Sequence, residues 1–141
     1  MLTLKRMKRI ILNVVLMVSL TACEIIVVES DYDYRSTIHG HYRLEEFSQT
    51  YNQYYRYEVE ISQSSWGSST IVINNFYNEG LSVRAEVHGN QIYIPAQTVR
   101  GYRIEGSGNI YSNEIELTYR AWDTYSTNRT DFCEATLWKS W

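Results

Sequence analysis

The sequence predicts an all-β domain: an antiparallel up-and-down meander of about eight strands, closed into a barrel or, as the alternative, left as an open β-sandwich. Three observations predict it. Apolar residues recur at every second position, most cleanly over Tyr54–Ser62 and Leu81–His88, the period of a half-buried strand. The chain holds 13 Tyr and one Pro in 141 residues, with no long stretch of helical period, and aromatic residues favour the pleated sheet. The segments between strands are short, and short connections join antiparallel neighbours. Strands with one apolar face each must hide it, and closing the sheet does so while removing its edges.

The chain opens differently. Lys5, Arg6, Lys8 and Arg9 precede a short apolar run, Ile10 to Val18, broken by Asn13. That run falls short of the roughly 20 apolar residues a bilayer crossing needs, and a basic start, a short apolar middle and small residues before a cut describe an export signal. Leu20-Thr21-Ala22-Cys23 resembles the bacterial lipobox: an aliphatic residue, two small ones, then cysteine. The resemblance implies cleavage before Cys23, a diacylglycerol on its thiol and an acylated amine. Two or three acyl chains, at about 0.8 kcal/mol per buried CH₂, anchor stably where one would not. Glu24 rather than Asp follows the cysteine, which by resemblance to Gram-negative lipoprotein sorting points to the outer membrane. Residues 1–22 are thus read as signal, 23–37 as a lipidated tether and 38–141 as the β domain.

Within the tether, Ile25 to Val28 is apolar and Glu29 to Tyr34 polar and acidic; its fourteen residues after Cys23 span about 45 Å if extended. It is read as mostly irregular, though the apolar piece also suits an added strand or a position near the lipid.

The strands follow in order. Gly40–Phe47 is the first, with Tyr42, Leu44 and Glu46 on one face, and Thr50–Gln53 turns. In Tyr54–Ser62, Tyr55, Tyr57, Val59 and Ile61 face inward. A Ser- and Gly-rich loop carrying Trp66 leads to Thr70–Phe76, and Asn78-Glu79-Gly80 turns again. Leu81–His88 and Gln91–Ile94 form a hairpin across Gly89-Asn90, residues that tolerate the positive φ of a tight turn. Pro95 ends that strand or places it at an edge. Tyr102–Gly108 runs into glycines. Asn113–Ala121 points Ile115, Leu117, Tyr119 and Ala121 inward. Asp123–Thr130 is a polar loop, and Phe132–Trp138 closes the domain with Cys133, Ala135 and Leu137 on one parity.

Four of the 13 Lys and Arg lie in the first nine residues and none of the 16 Asp and Glu precede Glu24, so the processed chain keeps 9 basic against 16 acidic residues. An acidic domain argues against nucleic acid as a partner and against docking on anionic lipid through its own charge. Once Cys23 is acylated, Cys133 is the one cysteine left and cannot staple its own chain. It reads as a small buried residue, since nothing beside it supplies the cation a reactive thiolate needs.

Gly40-His41-Tyr42, Ile71–Phe76, Val87–Gln97, Gly106-Ser107-Gly108, Asn113–Tyr119 and Cys133–Thr136 together resemble small lipocalin-like lipoproteins of Gram-negative bacteria, over about Gly40 to Trp138. The resemblance implies a lipid-anchored β-meander with a lipocalin-like barrel and no established chemistry. Members often pair the cysteine matching Cys133 with one near the first strand, where this chain has Phe47-Ser48.

No catalytic residue, cofactor or metal site is assigned. His39 and His41 with Glu45 or Glu46 offer donors for zinc or copper, but two ligands do not make a site and these read as polar residues at a strand start. Glu58/Glu60 and Glu114/Glu116 look like paired carboxylates for glycosidic chemistry, yet their period of two opposite apolar residues puts them on a solvated sheet face. His88 reads as exposed beside its turn. The aromatics remain. Trp66, Tyr77, Trp122 and Tyr125 lie in or beside loops and suit ligand or partner contact. Tyr55, Tyr57 and Tyr119 face inward and either line a pocket or fill a core. The expectation is a non-enzymatic envelope protein, held to the membrane by acyl chains on Cys23. It binds a small apolar ligand or an envelope protein through Tyr55, Tyr57, Tyr119, Trp66 and Trp122. The alternative is an interaction or inhibitor module whose aromatic loops occlude a target and whose barrel is solid.

Overall fold

The computed structural model describes residues 34–125 and 129–140. The stretches read from the sequence as export signal, as lipobox with Cys23 and as tether up to residue 33 lie outside the described residues. The chain divides into Met1–Ser30 and Asp31–Trp141, and the second unit is the β domain.

That domain begins earlier than the sequence suggests. Arg35–Ile38 forms one helical turn, α1, where an irregular tether was expected. Tyr34 O accepts the backbone N–H of Thr37 and of Ile38 at 3.0 Å, and the Thr37 hydroxyl at 2.7 Å. A turn this short needs support from outside, and three contacts supply it: Ile38 is buried, Arg35 donates to Gly67 O at 3.1 Å, and Lys139 Nζ donates to Thr37 O at 2.9 Å. The Tyr42 hydroxyl donates to Ile38 O at 2.8 Å, and burial pushes its pKa up to about 12.

Eight antiparallel strands follow: β1 (Gly40–Ser48), β2 (Gln53–Gln63), β3 (Thr70–Phe76), β4 (Leu81–His88), β5 (Gln91–Val99), β6 (Tyr102–Ile110), β7 (Glu114–Asp123) and β8 (Asp131–Lys139). Each pairs with the next and β8 pairs with β1, so the sheet is a closed up-and-down barrel. The barrel alternative therefore holds and the open sandwich does not, and the architecture is consistent with a lipocalin-like fold. Because the strands alternate in direction, the connections sort to two ends. The α1 end holds the 64–69 loop, the 89–90 turn and the 111–113 turn. The distal end holds the turns at 49–52, 77–80 and 100–101 and the loop after β7.

The alternation read from the sequence is the inside–outside pattern of the barrel. Leu44, Val59, Ile61, Ile71, Ile73, Val83, Ala85, Ile92, Ile94, Ile104, Leu117 and Leu137 are each at most 2% exposed. A side chain facing an interior space large enough for water keeps accessible area, and these keep almost none. The interior is filled by side chains, as in a small barrel of eight strands, with each buried Leu or Ile contributing about 1.5–3 kcal/mol of hydrophobic stabilisation.

Two strands run further than expected. β5 continues through Pro95 to Val99. Between Ile94 and Gln97 its register against β6 shifts, three steps on β5 facing two on β6. A β-bulge leaves its extra residue unpaired, so the N–H that proline lacks is not missed. Pro95 thus sits at a bulge inside a closed sheet, not at a strand end or edge. β4 and β5 pair over three positions, and beyond them the Gln97 amide completes the ladder, accepting from Arg84 N at 3.0 Å and donating to Arg84 O at 2.7 Å.

β6 likewise passes through its glycines to Ile110. Gly106 and Gly108 share the inward parity of Ile104 and Ile110, and they face Tyr119 and Leu117 on β7. A Cβ on Gly106 would stand 2.5 Å from Thr118 O and from Tyr119 Cβ, and one on Gly108 would collide with Glu116 O and the Leu117 side chain. The glycines are spaces occupied by β7.

Cys133 is free and buried, as the sequence suggests. Its cross-strand partner on β1 is Ser48. The position that would hold a bonded cysteine therefore carries a hydroxyl, and that hydroxyl has another task.

Candidate functional site

The distal end of the barrel concentrates the chain's unusual chemistry in two layers, one buried and one exposed. The buried layer is polar. Glu46, Ser48 and Asp131 are at most 2% exposed, on inward positions of β1 and β8. Glu46 Oε2 accepts the Tyr57 hydroxyl at 2.5 Å and also the Tyr119 hydroxyl. Asp131 Oδ1 accepts the Ser48 hydroxyl at 2.5 Å, and Oδ2 accepts the Tyr77 hydroxyl at 2.8 Å. Among the described residues no buried side-chain nitrogen or oxygen lacks a partner. Complete satisfaction is what makes a buried polar network tolerable.

Burial dominates the protonation of this layer. Desolvation raises the Glu46 carboxyl above its usual range, and the neighbouring Asp131 adds to that, against the lowering effect of the two tyrosine hydrogen bonds. Desolvation also raises Tyr57 and Tyr119, with the Glu46 charge next to both, and raises Tyr77, which donates to Asp131. The Cys133 thiol is pushed far up by burial and then by Glu46 and Asp131, so it stays protonated and unreactive. General acid–base catalysis requires a group within hydrogen-bond reach of substrate. Glu46 and Asp131 instead spend their oxygens on four hydroxyls of the protein itself. The arrangement works as an internal brace joining β1, β2, β7, β8 and the 77–80 turn.

Tyr77 closes this layer from above. It adopts φ +57°, in a stretch where Asn75, Asn78 and Gly80 are also left-handed, so the chain bends sharply and drops the ring over the barrel end. Its ring packs 5.8 Å from Tyr102 and 6.3 Å from Tyr119, and Phe76 lies 4.6 Å from Tyr119.

The exposed layer rims the same end. Tyr54 is 69% exposed, and Tyr51, Tyr55, Tyr125 and Phe132 are exposed with it. Phe47 stacks 4.7 Å from Tyr54. Arg129 lies 4.9 Å over the Tyr51 ring, and Arg103 and Arg120 lie 5.5 and 5.8 Å from the Trp122 ring centre. Cation–π contacts of this kind hold the arginine planes in place. A hollow of about 260 Å³ opens between Phe132, Arg120, Gln49 and Gly106. Elsewhere on this end, β2 outruns its neighbour: it pairs with β3 only from Glu60 to Gln63. Glu58 O accepts from Asn75 Nδ2 at 2.7 Å, so by ladder alternation the backbone groups of Arg56 and Tyr54 face the same open side. Among the described residues no strand covers them.

The residues singled out from the sequence separate. Tyr57 and Tyr119 are buried and fill the core rather than line a pocket. Tyr55 shares their parity but lies beyond the barrel's packed length, exposed, its hydroxyl bonded to Gln53 Oε1 at 2.7 Å. Trp66 and Trp122 stand at opposite ends and form no common face. Trp66 is 77% exposed at the α1 end, with Arg84 5.2 Å over its ring. His39, His41 and His88 are exposed, as are Glu58, Glu60 and Glu116, with Glu114 half-buried. Among the described residues no three His, Cys, Asp or Glu side chains gather as metal ligands do. Sequence reasoning placed Glu46 on the face of Tyr42 and Leu44 but missed Asp131, which fell between the polar loop ending at Thr130 and the strand starting at Phe132, whereas β8 begins at Asp131. It also missed the arginines: Arg103 and Arg120 come to Trp122 through the β6–β7 register, and Arg129 comes to Tyr51 across the barrel end.

No protein-family model matches the chain, and no curated protein matches it.

Proposed function

We propose that this chain is a lipid-anchored, non-enzymatic protein of the cell envelope that uses a solid barrel to present its distal rim to a partner protein. In this reading it is an outer-membrane lipoprotein of a Gram-negative bacterium, acylated on Cys23. The observation that carries the partner role is the pairing of a filled interior with a rim of exposed Tyr51, Tyr54 and Phe132, the half-buried Trp122 and stacked arginines. Tyr, Trp and Arg are the side chains that dominate binding energy at protein interfaces. The uncovered stretch of β2 adds backbone donors and acceptors of the kind an extended segment pairs with.

Two experiments test the two halves of this reading. Labelled palmitate should enter the wild-type chain in its host and not Cys23→Ser; equal labelling of both rules out the anchor. A photo-crosslinking phenylalanine analogue at Tyr54 or Phe132 should give a discrete protein adduct in the same cells. The same probe at Trp66 should not. An adduct from Trp66 alone, or none from either rim position, rules out the rim.

A further inference from the structure

At the α1 end, a groove of about 870 Å³ crosses the barrel rim between α1 and the 111–113 turn. That volume is in the range of small-molecule sites. Its apolar surface is supplied by the Tyr111 and Trp138 rings, and Ile38, Ile110 and Ile115, at most 6% exposed, close its floor. Trp138 is held in place by its indole N–H, which donates to Glu114 Oε2 at 3.1 Å.

Two cations line this groove, Arg43 and Lys139. Arg43 projects from the outer face of β1, between its cross-strand partners Glu58 on β2 and Trp138 on β8, and its guanidinium is in no ion pair among the described residues. Lys139 Nζ donates to Thr37 O, one of three donors on an ammonium group. Glu114 is the groove's acidic residue and is already engaged by Trp138. The groove's lining thus carries two cations against one engaged carboxylate, in a domain whose acidic residues outnumber its basic ones.

We propose that this groove binds an anionic amphiphile, its charged head on Arg43 and Lys139 and its hydrocarbon along the Tyr111 and Trp138 rings. Neither half of such a ligand suffices alone. A free anion meets two solvated cations, and a neutral chain leaves them unanswered.

The test is calorimetric titration of the chain from residue 23 onward, with Cys23→Ser and all described residues present. Dodecyl phosphate below its micelle concentration is compared with inorganic phosphate and with dodecanol. Dodecyl phosphate should bind saturably, at least tenfold more tightly than either fragment. Arg43→Glu, on an exposed position, should weaken it at least fivefold, and Tyr111→Ser, in the exposed turn, should weaken it with the head contacts intact. A Tyr54→Ala change at the distal rim should leave it unaltered. Dodecanol binding as tightly as dodecyl phosphate overturns the proposal, as does indifference to Arg43→Glu or the absence of saturable binding. None of these results bears on the distal rim.

Discussion

Alanine at Gly108 should destabilise the barrel by about 3 kcal/mol, although the same change in an open strand would stabilise it. Glycine to alanine normally contributes about 0.4–1 kcal/mol by restricting the unfolded chain. Here the added methyl group collides with Glu116 O and the Leu117 side chain. A backbone oxygen within a ladder cannot swing aside as a flexible side chain can, so β6 and β7 must separate or twist. Overpacking of this kind costs about 1–3 kcal/mol and at times more. Gly106→Ala should act in the same direction, since its methyl would press on Thr118 O and Tyr119 Cβ, both at 2.5 Å. Ser107→Ala between them points outward and is exposed, so it should stay within about 0.5 kcal/mol of wild type. Urea unfolding checks this through the midpoint at constant slope. A Gly108→Ala midpoint equal to that of Ser107→Ala would mean that β7 does not need the space.

The glycines show where sequence reading succeeds and where it stops. Alternation over Leu81–His88 and Glu114–Ala121 fixed which side chains point inward, because a closed sheet punishes a slip of one residue along its whole length. The same pattern could not distinguish Gly106 and Gly108 as a turn from Gly106 and Gly108 as strand interior, since the reason for them is the bulk of Leu117 and Tyr119 on a neighbouring strand. Pro95 was ambiguous for a similar cause: its cost depends on whether a partner N–H is wanted, and the bulge against Ile104–Gly106 decides that. Tyr55 and Tyr57 share a parity, yet only Tyr57 reaches the packed layer, because parity gives direction and not depth. Trp66 and Trp122 looked equivalent as loop aromatics, and strand direction sends them to opposite ends. The rim was least legible, for Arg129 reaches Tyr51, far from it in the sequence, only when the meander closes.

The other large effect concerns the buried carboxyl at Glu46, and here stability should fall as pH rises. An unfolded glutamate titrates near pH 4.3. In the barrel, desolvation and the neighbouring Asp131 lift Glu46 above that, against Tyr57 and Tyr119, which donate to it, with Cys133 also facing it. The folded state therefore holds its proton more tightly than the unfolded state. The stabilisation is complete below about pH 4 and is lost as pH climbs through the raised folded pKa, each tenfold difference in proton affinity being worth about 1.4 kcal/mol. Glu46→Gln keeps a neutral acceptor for both hydroxyls and cannot ionise. The stability of wild type relative to Glu46→Gln should thus decline as pH rises above about 4, until the raised folded pKa has been passed. Glu46→Leu should behave differently, losing about 2 kcal/mol or more at every pH because two buried hydroxyls lose their acceptor. If wild type instead gains on Glu46→Gln with rising pH, the tyrosine pair outweighs desolvation, and the distal brace is held by a charge rather than by a proton.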